Sequence, residues 1–281
     1  MAAQILDGKS LAAQIRSELK RKVEALAQRG IRPGLAVILA GQDPASRVYV
    51  RNKVLASEQT GVASSLFEFP AAVAESELVD RVRALNADPA VHAILVQLPL
   101  PRQVDAAAVL QAVSPAKDVD GFHAANLGAL LAGAPRVVPC TPAGVMRLLE
   151  HGKVPVAGRR AVVVGRSNIV GKPLALLLLQ KDATVTVCHS KTEGLEIVAR
   201  QADILVAAIG RPKLVGAAMV KPGACVIDVG VNRQADGSLA GDVDFEALKD
   251  TAGWLTPVPG GVGPMTIAML LENCITAASK K

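Results

Sequence analysis

Few side chains in this sequence can handle a proton, and those that can fall into short patterns. Ser46-Arg47-Val48-Tyr49-Val50-Arg51-Asn52-Lys53 follows Asp43-Pro44, an acid cap with proline in the first turn, so it reads as helix. Tyr49 and Lys53 then lie one turn apart on a shared face. An amine beside a phenol can orient a water or carry a proton; a surface lysine over a half-buried tyrosine gives the same spacing. Gln97 ends an apolar run and precedes Leu98-Pro99-Leu100-Pro101, where a carboxamide can meet a ligand or merely cap a strand. Lys117-Asp118-Val119-Asp120-Gly121-Phe122-His123 holds two carboxylates that share a face if the segment is extended and separate if it turns. One of them can accept hydrogen bonds from an amino-substituted heterocycle; solvated turn acids are the plainer alternative. No His or Cys cluster completes a metal site there, and none is expected. The run Pro259-Gly260-Gly261-Val262-Gly263-Pro264 would let backbone approach a flat ring, or serve as a linker.

A second constellation surrounds Gly165. Ala161-Val162-Val163-Val164 reads as a buried strand, and Gly165-Arg166-Ser167-Asn168-Ile169-Val170-Gly171-Lys172-Pro173 as a turn into a helix that opens with free N–H groups and a positive dipole end. The dinucleotide fingerprint is G-x-G-x-x-G. Here Ser167 replaces the second glycine and Gly171 comes one residue late, and a glycine turn between strand and helix also occurs as plain structure. The next strand, 183–188, leads to His189-Ser190-Lys191, about 20 residues past the turn, where an acid would bind the ribose hydroxyl of NAD. No acid stands there. Arg166, Ser190 and Lys191 suit a 2′-phosphate instead, which favours NADP. Short-chain dehydrogenases also use Tyr-x-x-x-Lys, but their glycine turn precedes that pair, so this chain does not match them.

These residues need a scaffold, and the pattern supplies an α/β one. Ser10 caps a helix to about Gln28, on which Leu11, Ile15, Leu19, Val23 and Leu26 share a face. Strands are predicted over 35–40, 62–69 and 91–97, with helices over 44–60, 75–86 and 105–113. Alternating helices and strands predict a three-layer N-terminal α/β domain. Residues 124–139 read as a connection, and a helix from Thr141-Pro142 should link the domains. The later strands 203–209 and 224–229 end in Gly210-Arg211-Pro212 and Gly230-Val231-Asn232, at the edge where such sheets bind ligands. The predicted layout is a catalytic α/β domain of residues 1–139 and 266–281, a Rossmann-type nucleotide domain of 140–265, and a cleft between them.

The 281 residues suit about two domains. Hydrophobic residues make up 51% and aromatics only 2%, so aliphatic side chains do the packing and extensive base stacking is unavailable. The net charge of +6 suits ordinary solubility or anionic ligands. No Lys/Arg block resembles a nucleic-acid arm, and no apolar run reaches a membrane span. Cys140, Cys188, Cys225 and Cys274 form no C-x-x-C pair. A cytoplasmic protein without nucleic-acid or membrane partners is expected.

Taken together, the motifs resemble the bifunctional methylenetetrahydrofolate dehydrogenase/cyclohydrolase family over essentially the whole chain. The matching stretches are Tyr49–Lys53, Val96–Pro101, Lys117–Gly121, Pro139-Cys140-Thr141-Pro142, Gly165–Pro173 and Thr256–Thr266. The glycine turn with a late Gly171 is the family's own form. The resemblance implies oxidation of methylenetetrahydrofolate with NADP, hydrolysis of the methenyl product to 10-formyltetrahydrofolate, a role in one-carbon and purine metabolism, and a homodimer paired through the nucleotide domain. It implies Lys53 as the catalytic centre with Tyr49 and Gln97 positioning lysine and substrate, and Asp120 on the pterin; Asp118 is expected to matter less for folate affinity. It places substrate along Tyr49, Val50, Arg51, Asn52, Lys53, Val96, Gln97, Leu98, Asp120, Pro259, Gly260, Gly261 and Val262. It places NADP on Gly165, Arg166, Ser167, Ile169, Ser190 and Val231. Two other classes stay open at this point: another NADP oxidoreductase acting on a small alcohol or amino acid, and a non-catalytic nucleotide sensor.

Overall fold

A computed structural model describes residues 2–280. The elements in chain order are β1 (Gln4–Ile5), α1 (Gly8–Gln28), β2 (Gly34–Ala40), α2 (Pro44–Thr60), β3 (Ala63–Phe69), α3 (Glu75–Ala87), β4 (Ala93–Val96), α4 (Ala106–Ala112) and α5 (Ala124–Leu131). There follow α6 (Cys140–His151), β5 (Arg160–Val164), α7 (Gly171–Leu179), β6 (Thr184–Cys188), α8 (Leu195–Ala199), β7 (Ile204–Ala207), β8 (Cys225–Asp228), β9 (Asn232–Arg233), β10 (Leu239–Ala240), α9 (Phe245–Leu248), β11 (Trp254–Leu255) and α10 (Val262–Ser279).

The chain forms two compact units, one of Ala13–Cys140 with the chain from Ile267 on, the other of Thr141–Thr266 with the residues up to Ala12. The first is built on a parallel sheet ordered β3-β2-β4. The central strand β2 is buried along its whole length, as its uninterrupted apolar sequence requires. On α3, Leu78, Val82 and Leu85 recur at helical spacing and join Ala36, Ile38 and Val96 in one apolar core. Each such Leu, Ile or Val contributes about 1.5–3 kcal/mol of burial.

The second unit holds a six-stranded parallel sheet ordered β1-β11-β8-β7-β5-β6. From β5 the chain goes to β6 on one side and then to β7 on the other, so the order reverses at β5. That switch point is where doubly wound sheets bind nucleotides. Val164, Cys188, Ala207 and Asp228 stand abreast in register at the same end of the sheet.

Local chemistry departs from the sequence expectations in several places. The expected layout puts the start of the chain in the first unit, yet β1 pairs in parallel with β11 of the nucleotide unit. Asp7, not Ser10, caps α1: its carboxylate accepts from the Ser10 backbone at 3.0 Å and the Ser10 hydroxyl at 2.6 Å. The stretch 124–139 is not all connection, because its Ala- and Leu-rich start forms α5 with His123 as cap, Nδ1 accepting from Ala125 at 3.0 Å. The last helix begins at Val262, so the glycine-rich loop ends there rather than at Pro264. Among the described residues, no helix is long and apolar enough to cross a membrane.

Candidate active site

Helix α2 begins as its sequence dictates, with Asp43 accepting from Ser46 at 2.7 Å and Pro44 in the first turn. It carries Lys53 inward, only 7% exposed. The Lys53 ammonium donates to Gln97 Oε1 at 3.0 Å, and Gln97 Nε2 donates to the Leu98 carbonyl at 2.7 Å. Gln97 therefore presents an oxygen to Lys53 because its other end is held by the backbone just past β4. Tyr49, one turn before Lys53, is half-buried, and burial pushes its hydroxyl above the ordinary phenol range.

The two acids of the 117–123 segment are separated by a turn, and neither is solvated. Asp118 accepts from the N–H groups of Gly121, Phe122 and His123 at 3.1, 3.2 and 2.8 Å and from Asn126 Nδ2 at 2.8 Å. Asp118 thus builds the turn, and its carboxylate is taken up by these internal donors. Asp120 is buried, and burial raises its carboxyl to about 6, with Asp118 adding to the rise and the Lys53 ammonium and Cys140 thiol opposing it. Lys53, Gln97 and Asp120 therefore share one buried neighbourhood. Cys140 and Asn273 were not singled out from the sequence as site residues, yet they border it. The Cys140 thiol donates to the Val119 carbonyl at 3.4 Å, and Asn273 Nδ2 donates to the carbonyls of Val119 and Val138, each at 3.0 Å. Burial, reinforced by Asp120, holds the Cys140 thiol well above its ordinary range. Of the other expected substrate residues in this unit, Val50 and Val96 are buried, Leu98 is half-buried, and Arg51 and Asn52 are exposed.

In the nucleotide unit, Gly165 follows β5 with φ +131°, and a Cβ there would meet the Ala208 carbonyl oxygen at 2.2 Å. At Gly171 a Cβ would meet the Gly165 carbonyl oxygen at the same 2.2 Å. The odd spacing is thus explained: one glycine passes the end of β7 and the other lets α7 start tight against the turn. Ser167, in place of the second glycine, accepts from the N–H groups of Val170 and Gly171 at 3.1 and 3.3 Å. Arg166 and Ser190 each lie two residues beyond the register pair Val164 and Cys188 on neighbouring strands, and both are exposed. Ile169 and Val231 are also exposed at this edge. The glycine cradle and the absence of an acid after β6 fit an NADP with its 2′-phosphate toward Arg166 and Ser190. Pro259 is exposed and Gly260 half-buried, while Gly261 and Val262 are buried; Gly260 accepts from the Lys9 N–H at 2.8 Å. Among the described residues, no three His, Cys, Asp or Glu side chains group to hold a metal ion.

A phosphate turn at the switch point of a parallel sheet, on a chain that also buries a lysine beside a carboxylate, defines a nucleotide-dependent enzyme. Residues 6–120 match the tetrahydrofolate dehydrogenase/cyclohydrolase catalytic domain, and residues 139–281 its NAD(P)-binding domain. The chain belongs to the tetrahydrofolate dehydrogenase/cyclohydrolase family. It is 59% identical to the bifunctional protein FolD of Cupriavidus necator over 280 residues, 100% of this chain and 99% of that one. The FolD dehydrogenase/cyclohydrolase of Campylobacter jejuni superposes with a TM-score of 0.97 at 47% identity, covering 99% of both chains. The FolD of Trypanosoma brucei, solved with NADP and an inhibitor, superposes with a TM-score of 0.96 at 41% identity over 100% of this chain and 98% of that one.

Proposed function

We propose that the protein oxidises 5,10-methylenetetrahydrofolate with NADP and hydrolyses the methenyl product to 10-formyltetrahydrofolate. The observation that carries this reading is the 3.0 Å contact of buried Lys53 with Gln97, in the neighbourhood of Asp120. When bound, NADP supplies the hydride acceptor. Hydride loss is driven by the substrate's own nitrogen lone pair, so the protein's part in that step is orientation. Hydrolysis asks more, because water must be activated and protons moved. Lys53 is suited to that, with Gln97 directing its ammonium and Tyr49 bordering it. Asp120, buried and ionised at neutral pH, is suited to accept from the amino and ring N–H groups of the pterin. Arg166 and Ser190 would hold the 2′-phosphate, and the turn from Gly165 the pyrophosphate. Absorbance of NADPH and of the methenyl product, on adding methylenetetrahydrofolate and NADP, tests the reading; no signal with either nicotinamide cofactor would sink it.

The finer reading extends to a cytoplasmic homodimer that serves purine synthesis and other formyl-transfer steps. Support for pairing through the nucleotide unit comes from β6, a free sheet edge with exposed Val187, and from exposed Leu179 on α7. Free thiols at all four cysteines suit a reducing compartment. Sedimentation that reports a monomer at micromolar concentration would refute the dimer.

A further inference from the structure

Asp242 buries its carboxylate in the nucleotide unit, with 0% of the residue exposed. Its Oδ2 accepts from the backbone N–H of Ile209 at 2.6 Å and Gly210 at 2.9 Å, and its Oδ1 from Arg211 N–H and Asn232 Nδ2, both at 2.9 Å. These donors belong to two segments, the loop after β7 and the first residue of β9, which closes the loop after β8. The short hairpin of β9 and β10 brings Asp242 back to meet them. Asp228, at the end of β8, in turn accepts from the N–H groups of Gly230, Asp242 and Val243, each at 2.9 Å. One carboxylate thus holds the backbone of the other. Little slack remains: a Cβ at Gly230 would lie 2.2 Å from Asp242 Oδ1, and one at Gly241 would lie 1.8 Å from Asp228 Oδ2.

A buried carboxylate is costly to a fold, and an apolar group of similar shape would often serve stability as well. The place of this one is informative. Both loops leave the sheet edge that carries the phosphate turn, where Val164, Ala207 and Asp228 stand abreast. Arg166 and Ser190, suited to the 2′-phosphate, stand on the β5–β6 side of the switch point. The other half of a dinucleotide laid across that edge must extend over β7 and β8. Three consecutive N–H groups drawn onto Asp242 fix the first loop there, and Asn232 ties the second to it.

We propose that Asp242 is a positioning residue for the cofactor, holding Ile209–Arg211 and Asn232 together so that the nicotinamide half of NADP meets two fixed loops. The inference rests on the NADP reading above and deepens it. It separates the two activities, because hydrolysis of the methenyl substrate uses no nucleotide. Asp242→Asn replaces one of the two acceptor oxygens with a donor that faces N–H groups, and Asn232→Ala removes a single donor to Asp242. Both variants are to be assayed for dehydrogenase KM and kcat, NADP binding by titration, cyclohydrolase rate without nucleotide, and melting temperature. Asp242→Asn should raise the KM for NADP about tenfold or more, the scale of a lost charged hydrogen bond, with cyclohydrolase within about twofold of wild type. Asn232→Ala should show a smaller rise of the same kind. An unchanged NADP KM in folded Asp242→Asn, or parallel loss of both activities with NADP binding intact, would overturn the proposal. If Asp242→Asn does not fold, Asn232→Ala decides, and a normal NADP KM there overturns it. A wild-type protein without NADP-dependent oxidation would overturn the parent reading too, and shows before any variant is made.

Discussion

The Asp118 carboxylate closes the turn on which Asp120 stands. It gathers the N–H groups of Gly121, Phe122 and His123 and the Asn126 amide, while Asp120 lies buried near Lys53. Two acids of one short motif thus have different parts, one shaping backbone and the other facing the lysine.

Their variants should separate accordingly. Asp118→Ala strands several buried donors and should destabilise the fold by about 3–4 kcal/mol, read as a lowered melting temperature. Asp120→Asn keeps the shape and should leave the melting temperature equal or higher at pH 7, while the KM for the folate substrate rises and NADP binding stays put. A normal folate KM would remove Asp120 from the site.

Acid titration gives a second test. With its carboxyl at about 6, Asp120 is ionised above that pH and neutral below it. The kcat/KM for methylenetetrahydrofolate should therefore fall as pH drops through about 6, and Asp120→Asn should lack that limb. Stability runs the other way. The folded value lies above the ordinary 3.8, so the folded chain binds this proton more tightly than the unfolded one. The stability Asp120 contributes is complete below 3.8 and is lost as pH rises through about 6. Melting temperatures of wild type and Asp120→Asn should thus diverge from pH 4 to pH 7, the variant gaining; an equal difference at both would refute the buried charge. Asp228, also pushed up to about 6 by burial, adds to the same fall in wild type.

Much of this arrangement was legible because the informative residues are local. Asp43-Pro44 announces α2 and so the face shared by Tyr49 and Lys53, and Gly165 and Gly171 announce the turn after β5. What was missed depends on distance along the chain. β1 has only two residues and is a strand because β11 lies beside it. Gly128, Gly133 and Pro135 disguised residues 124–139 as a loop, although Ala124–Leu131 is a good helix former behind a capping histidine. Asp228 reads as an acid within a strand and Asp242 as an ordinary loop acid until the β9–β10 hairpin folds one onto the other. Asn273 reads as one more polar position on a C-terminal helix, and only the fold brings it to the carbonyls of Val119 and Val138.

Cofactor choice gives a third test. Arg166 and Ser190 lie two residues past the paired Val164 and Cys188, so two neighbouring strands can present one phosphate with two donors. Arg166→Ala should raise the KM for NADP about ten- to a hundredfold and leave the use of NAD nearly unchanged. Equal losses with both cofactors would mean that Arg166 shapes the turn and does not read the phosphate.

The two chemistries make unequal demands on Lys53, and that inequality is measurable. Hydride transfer has an electronic push within the substrate, while water attack needs a group to handle protons. Such groups contribute about 10²–10⁴-fold. Lys53→Met keeps much of the apolar stem in its buried position and removes the amine that meets Gln97 at 3.0 Å. Cyclohydrolase activity should fall by at least that order while dehydrogenase activity falls less, so that methenyl product accumulates and shows its own absorbance band. Gln97→Ala should give a milder form, since it only directs the ammonium. Both activities within twofold of wild type in Lys53→Met would make Lys53 a bystander. Parallel loss of both would instead assign it to holding the substrate.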